Sequence, residues 1–180
     1  YFQSRQKRLI LQKIKWSMKD NSVFSRILLV FAIMALFAFL RIFIDLPNVS
    51  PVAAIALFGG TVIGRKGLAV LLPLVILLAS DAVLGFYSYF LMAFVYGSFA
   101  LIAVIGFWLR NRMKFHNVVL ASIVSSVVFF LLSNFGVWAE GLWYPMNVSG
   151  LISCYTMAIP YFRYELIGTL AFSLMFFGMY

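Results

Sequence analysis

Between Phe24 and Tyr180 the chain is a succession of apolar runs, most of them near the roughly 20 residues a helix needs to cross a bilayer. Short polar connections and one long loop, Glu140 to Ala158, rich in Gly, Trp, Tyr and Asn, break them, and such runs make the chain an integral membrane protein built of helices. With 64% hydrophobic and 11% charged residues it lies far from soluble domains, which are about half apolar and a quarter charged. Its 180 residues suit one domain of about six membrane segments. The runs cover about Phe24 to Ile44, a short stretch opening at Pro51, Leu68 to Phe86, Tyr89 to Leu109, Val118 to Ala139, and Pro160 to Tyr180. Leu151 to Ile159 adds a short interfacial or re-entrant helix. The expected fold is an all-α, six-transmembrane-helix bundle over residues 23–180 with a short second helix. Residues 1–22 stand apart: Tyr1-Phe2-Gln3-Ser4 resembles the remnant of an engineered protease site. Arg5 to Lys19 is either a basic helix suited to an anionic membrane surface or a linker.

A net charge of +9 would suit nucleic acid, but the basic residues sit in the tail and in short loops between apolar runs. There positive charge sets membrane orientation, so no nucleic-acid partner is expected. The tail, 65–66 and 110–116 are basic, whereas 45–50, 85–89 and 140–158 contain no Lys or Arg. That alternation places both termini in the cytoplasm and the non-basic loops outside.

The most distinctive text is Pro47-Asn48-Val49-Ser50-Pro51-Val52-Ala53-Ala54-Ile55-Ala56-Leu57-Phe58-Gly59-Gly60. Proline suits a first helical position and Ser50 a cap, so a helix is expected from Pro51 to Gly64. At 1.5 Å per residue it reaches about 20 Å, short of the roughly 30 Å of hydrocarbon. Its polar N-terminal turn then borders a solvent-accessible pocket, or is an ordinary interhelical loop. Gly60-x-x-x-Gly64 with Ala53 and Ala56 makes a small-residue face, expected to pack against span one or three or to meet a partner.

Ionisable and amide groups gather at the non-basic end: Arg41 and Asp45 end span one, Asp81 and Asn134 lie in the outer parts of spans three and five, and Arg163 and Glu165 begin span six. Such residues are costly in a membrane, so they line an aqueous site or form a structural network, Arg41 with Asp45 or Arg163 with Asp81. Trp138, Trp143, Tyr144, Tyr155, Tyr161 and Tyr164 at the same end are site walls or an interfacial belt. Other chemistry lacks its parts. His116 is the sole histidine and Cys154 the sole cysteine, which leaves no metal site, no cofactor site and no disulfide. Neither a phosphate-binding Gly-x-x-x-x-Gly-Lys-Ser/Thr run nor a Ser-His-Asp arrangement occurs, so an enzyme is not expected and active transport needs an outside energy source. Asp81 reads as the deepest ionisable group, with only the back-bonding hydroxyls of Ser122, Ser125 and Ser126 inward of it.

The proline-bracketed stretch, Leu72-Pro73-Leu74-Val75-Ile76-Leu77-Leu78-Ala79-Ser80-Asp81, and Asn134-Phe135-Gly136-Val137-Trp138 resemble an uncharacterised family of small bacterial membrane proteins. That family is similar to the substrate-binding S components of energy-coupling factor (ECF) transporters. The resemblance covers nearly all of Phe24 to Tyr180 and implies a bacterial cytoplasmic (inner) membrane location, six helices, and an outward-facing site beneath the three non-basic loops. It further implies vitamins or related micronutrients as ligands and an ATP-hydrolysing energising module as partner. The Ala-x-x-x-Ala motif by which many S components dock is absent as such from span one, where Ala32, Ala35 and Ala38 stand at spacing three.

The resulting expectation is a substrate-capture subunit or solitary transporter taking up a small, flat, partly polar nutrient. Asn48, Asp81, Asn134 and Arg163 supply orienting contacts, and Trp138, Trp143 and Tyr144 cover the mouth. The rivals are a membrane-embedded enzyme on lipid or quinone with Asp81 and Glu165 as acid–base groups, and a structural subunit of a membrane complex.

Overall fold

The computed structural model describes residues 51–180 and, before them, only Ala32. The first apolar run, with Arg41, Asp45 and Asn48, lies outside the described residues, as does the turn leading into Pro51. Helices α1 (Val52–Val62), α2 (Lys66–Leu84), α3 (Tyr89–Leu109), α4 (Phe115–Ala139) and α5 (Val148–Met179) follow one another, joined by short connections. Three of them, α2, α3 and α4, are long and apolar enough to cross a membrane. No more than 33% of any of their most apolar windows is buried, and Leu71, Leu78, Leu101 and Leu131 stand exposed. Exposure on that scale places hydrocarbon, not water, around the bundle: this is a membrane protein.

The short helix is the centre of the described bundle. Its residues from Val52 to Thr61 are all buried, because Val-Ala-Ala-Ile-Ala-Leu-Phe-Gly-Gly offers no polar side to turn toward solvent. Val52, Ala53, Ala56 and Leu57 join Leu77 of α2, Phe99, Ile102 and Leu109 of α3, and Val118 and Ala121 of α4 in one apolar core. At the other side Phe58 packs against Phe176, Phe177 and Tyr180 near the end of α5, with ring centroids 5.6, 5.2 and 5.8 Å away.

Glycine makes the closest crossing possible. A Cβ on Gly60 would lie 2.1 Å from the carbonyl oxygen of Ala103, and one on Gly106 would lie 2.5 Å from that of Leu57. Backbone therefore touches backbone where α1 meets α3. The small-residue face works within the chain, with Gly60 against α3, the fourth apolar run, where the sequence pointed to span one or three; Gly64 has nothing within 4 Å of where its Cβ would be and takes no part in the crossing.

Arg110, at the end of α3, closes the C-terminus of α1. Its Nε donates to Thr61 O at 3.0 Å, Nη1 to Gly64 O at 3.3 Å, and Nη2 to Gly60 O at 2.9 Å and to Ile63 O. The last carbonyls of a helix lack partners within it and carry the negative end of its dipole, and a guanidinium fork supplies both donors and charge. The sequence offers Arg110 as a loop charge that sets orientation; the structure adds a capping role for the same cation.

The end of the chain departs from expectation in one further respect. Val148–Met179 is a single helix containing Pro160, so no separate helix ends at Ile159 and the final span does not begin at Pro160. Proline removes one backbone donor, a loss that membrane helices tolerate when neighbouring groups satisfy the freed carbonyl. Asn147 starts this helix by accepting from Gly150 N–H at 2.8 Å. On the preceding connection, Trp138 Nε1 donates to Pro145 O at 3.1 Å and ties the loop back to α4.

Candidate functional site

A cavity of about 250 Å³ lies between α3, α4 and α5, in the half of the bundle nearer the 85–88 and 140–147 connections. Helix α3 contributes Leu91 and Val95 from its first two turns, and α4 contributes Phe129, Phe130, Ser133, Asn134 and Val137 from its last three. From α5 come Ala158, Tyr161, Phe162 and Glu165, positions three to four apart and hence on one face. Gly136 sets the approach of α3 to α4 at this level: a Cβ there would stand 2.9 Å from Phe94 Cβ and 3.1 Å from Leu91 Cδ1. The walls are aromatic, with Phe130 and Phe162 rings 4.7 Å apart between centroids.

The polar lining is sparse and its bonding capacity is unevenly used. Ser133 Oγ donates to Phe129 O at 2.6 Å and Asn134 Nδ2 to Phe130 O at 2.8 Å, so both donors are committed to their own helix. Glu165 is only 7% exposed. Its Oε1 accepts from Thr169 Oγ1 at 2.8 Å, while its Oε2 is enclosed and has no hydrogen-bond partner. Ser126 Oγ on α4 is enclosed beside this carboxylate and Ser173 Oγ on α5 is enclosed without a partner among the described residues, whereas Ser122 and Ser125 bond back to Val118 O and Ala121 O. Because α5 is continuous, Glu165 falls near its middle rather than at its start. Asp81 sits within one turn of the end of α2, so Glu165 is the deeper carboxylate of the two.

Of the expected binding set, Asn134 lines the cavity and its other described members do not, whereas Tyr161 and Glu165, noted at the same end of the sequence but left out of that set, do line it. Asp81 is buried between α2 and α3, where Tyr96 O–H donates to its Oδ2 at 2.8 Å. Arg163 is exposed on α5 with its guanidinium 5.0 Å from the Tyr164 ring centre, and makes no ion pair with Asp81. Trp138 is held by Pro145, Trp143 is 77% exposed, and Tyr144 is half-buried in the same connection. Glu165, Phe129, Phe130 and Phe162 are the cavity residues that the expected binding set omitted. Their signal in the sequence is spacing: Ala158, Tyr161, Phe162 and Glu165 share a helical face once Pro160 is read through. Among the described residues no group of three or more His, Cys, Asp or Glu is placed to hold a metal ion.

A buried short helix, lipid-exposed long helices and an aromatic cavity with a carboxylate define a polytopic membrane protein with an internal cavity. The chain belongs to a family of unknown function, DUF6580, which it matches over residues 21–180. No curated protein and no solved structure matches it.

Proposed function

We propose that the protein captures a small, flat, partly polar nutrient, a vitamin or related micronutrient, for uptake across the bacterial cytoplasmic membrane. The observation that carries this reading is the cavity between α3, α4 and α5, whose aromatic walls and few polar groups are those of a small-molecule site. In this reading the first apolar run completes a six-helix bundle, both termini are cytoplasmic, and the cavity faces outward. The S-component likeness of the sequence supports an energising partner on the cytoplasmic side, since the chain has no nucleotide-binding motif of its own. Asn134 and Glu165 orient the ligand and Phe129, Phe130, Tyr161 and Phe162 enclose it; Asp81, held by Tyr96, serves the packing of α2 on α3.

Mass spectrometry of solutes retained by the purified protein tests the pocket. Ala158→Phe fills the cavity from its wall and is expected to abolish retention, with thermal stability kept within about 1 kcal/mol because the residue is only half-buried. Retention of the same solute by the filled variant would place binding elsewhere.

Orientation has its own test. Cysteines at Leu142, which is 73% exposed, and at Asn111 are expected to react with an impermeant maleimide from outside and only after permeabilisation, respectively. Cys154, 2% exposed, is expected to stay silent. Reaction of both introduced cysteines from one side would end the proposed topology.

A further inference from the structure

We infer that the ligand of this cavity carries a protonated nitrogen, a small aromatic or heteroaromatic amine whose cation is seated on Glu165. The inference rests on the reading of the cavity as a solute site and adds the charge of what enters it.

Glu165 states the problem. A carboxylate more than nine-tenths buried at the middle of α5 has two hydroxyls beside it, Thr169, which donates to its Oε1, and Ser126, and among the described residues no cation reaches its enclosed second oxygen. Buried charges in membranes are paired or face a polar path, because desolvation costs several kcal/mol per ion in a low-dielectric interior. Among the described residues no Lys, Arg or His lines the cavity. The nearest cation along α5, Arg163, is exposed and stacked over Tyr164. Arg110 is committed to the end of α1, and Arg65, Lys66, Arg112 and Lys114 belong to the opposite end of the bundle. Among the described residues, then, the counter-charge is not supplied by the protein.

The rest of the lining selects in the same direction. Ser133 Oγ has given its proton to a backbone carbonyl and Asn134 Nδ2 one of its two N–H groups, and the Asn134 amide oxygen and the Glu165 carboxylate are acceptors at the lining. Tyr161 adds a hydroxyl that can donate or accept. A lining whose one charged side chain among the described residues is a carboxylate fits a ligand that donates to it, and an ammonium or protonated ring nitrogen donates with a full charge. The faces of Phe129, Phe130, Tyr161 and Phe162 add the attraction of aromatic rings for cations and stack on a flat ring system. A carboxylate or phosphate ligand meets no positive group here and is repelled by Glu165.

A charge-matched series decides it: 2-naphthylmethylamine, 2-naphthylmethanol and 2-naphthoate, each titrated calorimetrically against the full chain in nanodiscs at neutral pH. The amine is expected to bind at least about tenfold more tightly than the alcohol, and the naphthoate weakest. Glu165→Gln is expected to bring amine and alcohol within about twofold of each other, and Ala158→Phe to remove the binding of both. If the Gln variant does not yield folded protein, Glu165→Asp, which keeps the charge, is expected to keep the order of the three probes. Alcohol or naphthoate binding as tightly as amine, or an amine preference that survives Glu165→Gln, overturns the cation while leaving a solute pocket in place. Failure of all three probes to bind, together with no solute retained on purification, overturns the pocket reading as well.

Discussion

Gly60→Ala is expected to destabilise the protein by about 3 kcal/mol or more, above the usual penalty for one added methyl group. The reason is where that methyl goes. It would sit 2.1 Å from Ala103 O, and the atom it strikes is backbone, which cannot step aside as a side chain does. Helices α1 and α3 must separate, and the core of Leu57, Ile102 and Phe99 opens with them. Gly64→Ala, four residues on and facing open space, is the matched control and should change stability by less than about 0.5 kcal/mol. Thermal unfolding of the two variants in the same detergent measures the contrast. Equal stability of the pair would mean that α1 and α3 do not touch as described.

Arg110→Met is expected to have a comparable effect, about 3 kcal/mol or more, since hydrogen bonds from a charged donor contribute roughly 1.5–3 kcal/mol each and removal strands several carbonyls together. The half-buried guanidinium bridges Gly60, Thr61, Ile63 and Gly64, and methionine keeps the length of the side chain without its donors. Arg110→Lys should recover part of the loss, because an ammonium keeps the charge facing the helix end but lacks the planar fork. Arg112→Met, whose cation is exposed over the Trp108 ring at 5.2 Å, should be nearly neutral. Chemical unfolding with hydrogen exchange at residues 60–64 separates these outcomes: rapid exchange there in Arg110→Met, and not in Arg112→Met, marks the cap. A neutral Arg110→Met would reduce the residue to the orienting charge that the sequence suggests.

Much of the architecture can be read from the chain alone. Pro51 and the glycines bound α1 nearly where it begins and ends, and the basic and non-basic stretches at 65–66, 85–89 and 110–116 fall at the connections between helices, overlapping only the first residues of α2, α3 and α4. The all-helical, membrane character follows from the length of the apolar runs. Asn134 could be picked out as a cavity residue because an amide inside an apolar span is costly without a purpose. What escaped depended on distance or on a rule with exceptions. The bonds of Arg110 join residues 46–50 positions apart, and no local pattern announces them. Pro160 suggests a helix start, which puts Glu165 near a membrane surface; with α5 running through the proline, the same carboxylate moves to mid-helix and into the cavity. Ser126 looks like its neighbours Ser122 and Ser125, and only the packing shows that it faces Glu165 where they bond back to their own helix.

The capping of α1 bears on how the protein is made. A chain emerges from the ribosome in order, so α1 is synthesised well before the residue that completes it. For the time needed to add the residues from Gly64 to Arg110, its last carbonyls have no guanidinium to meet, and the surfaces of α3, α4 and α5 that enclose it do not yet exist. An 11-residue helix is about 16 Å long and cannot bridge the bilayer alone. Its final placement is therefore expected to wait for α3, an insertion order that differs from the order of translation.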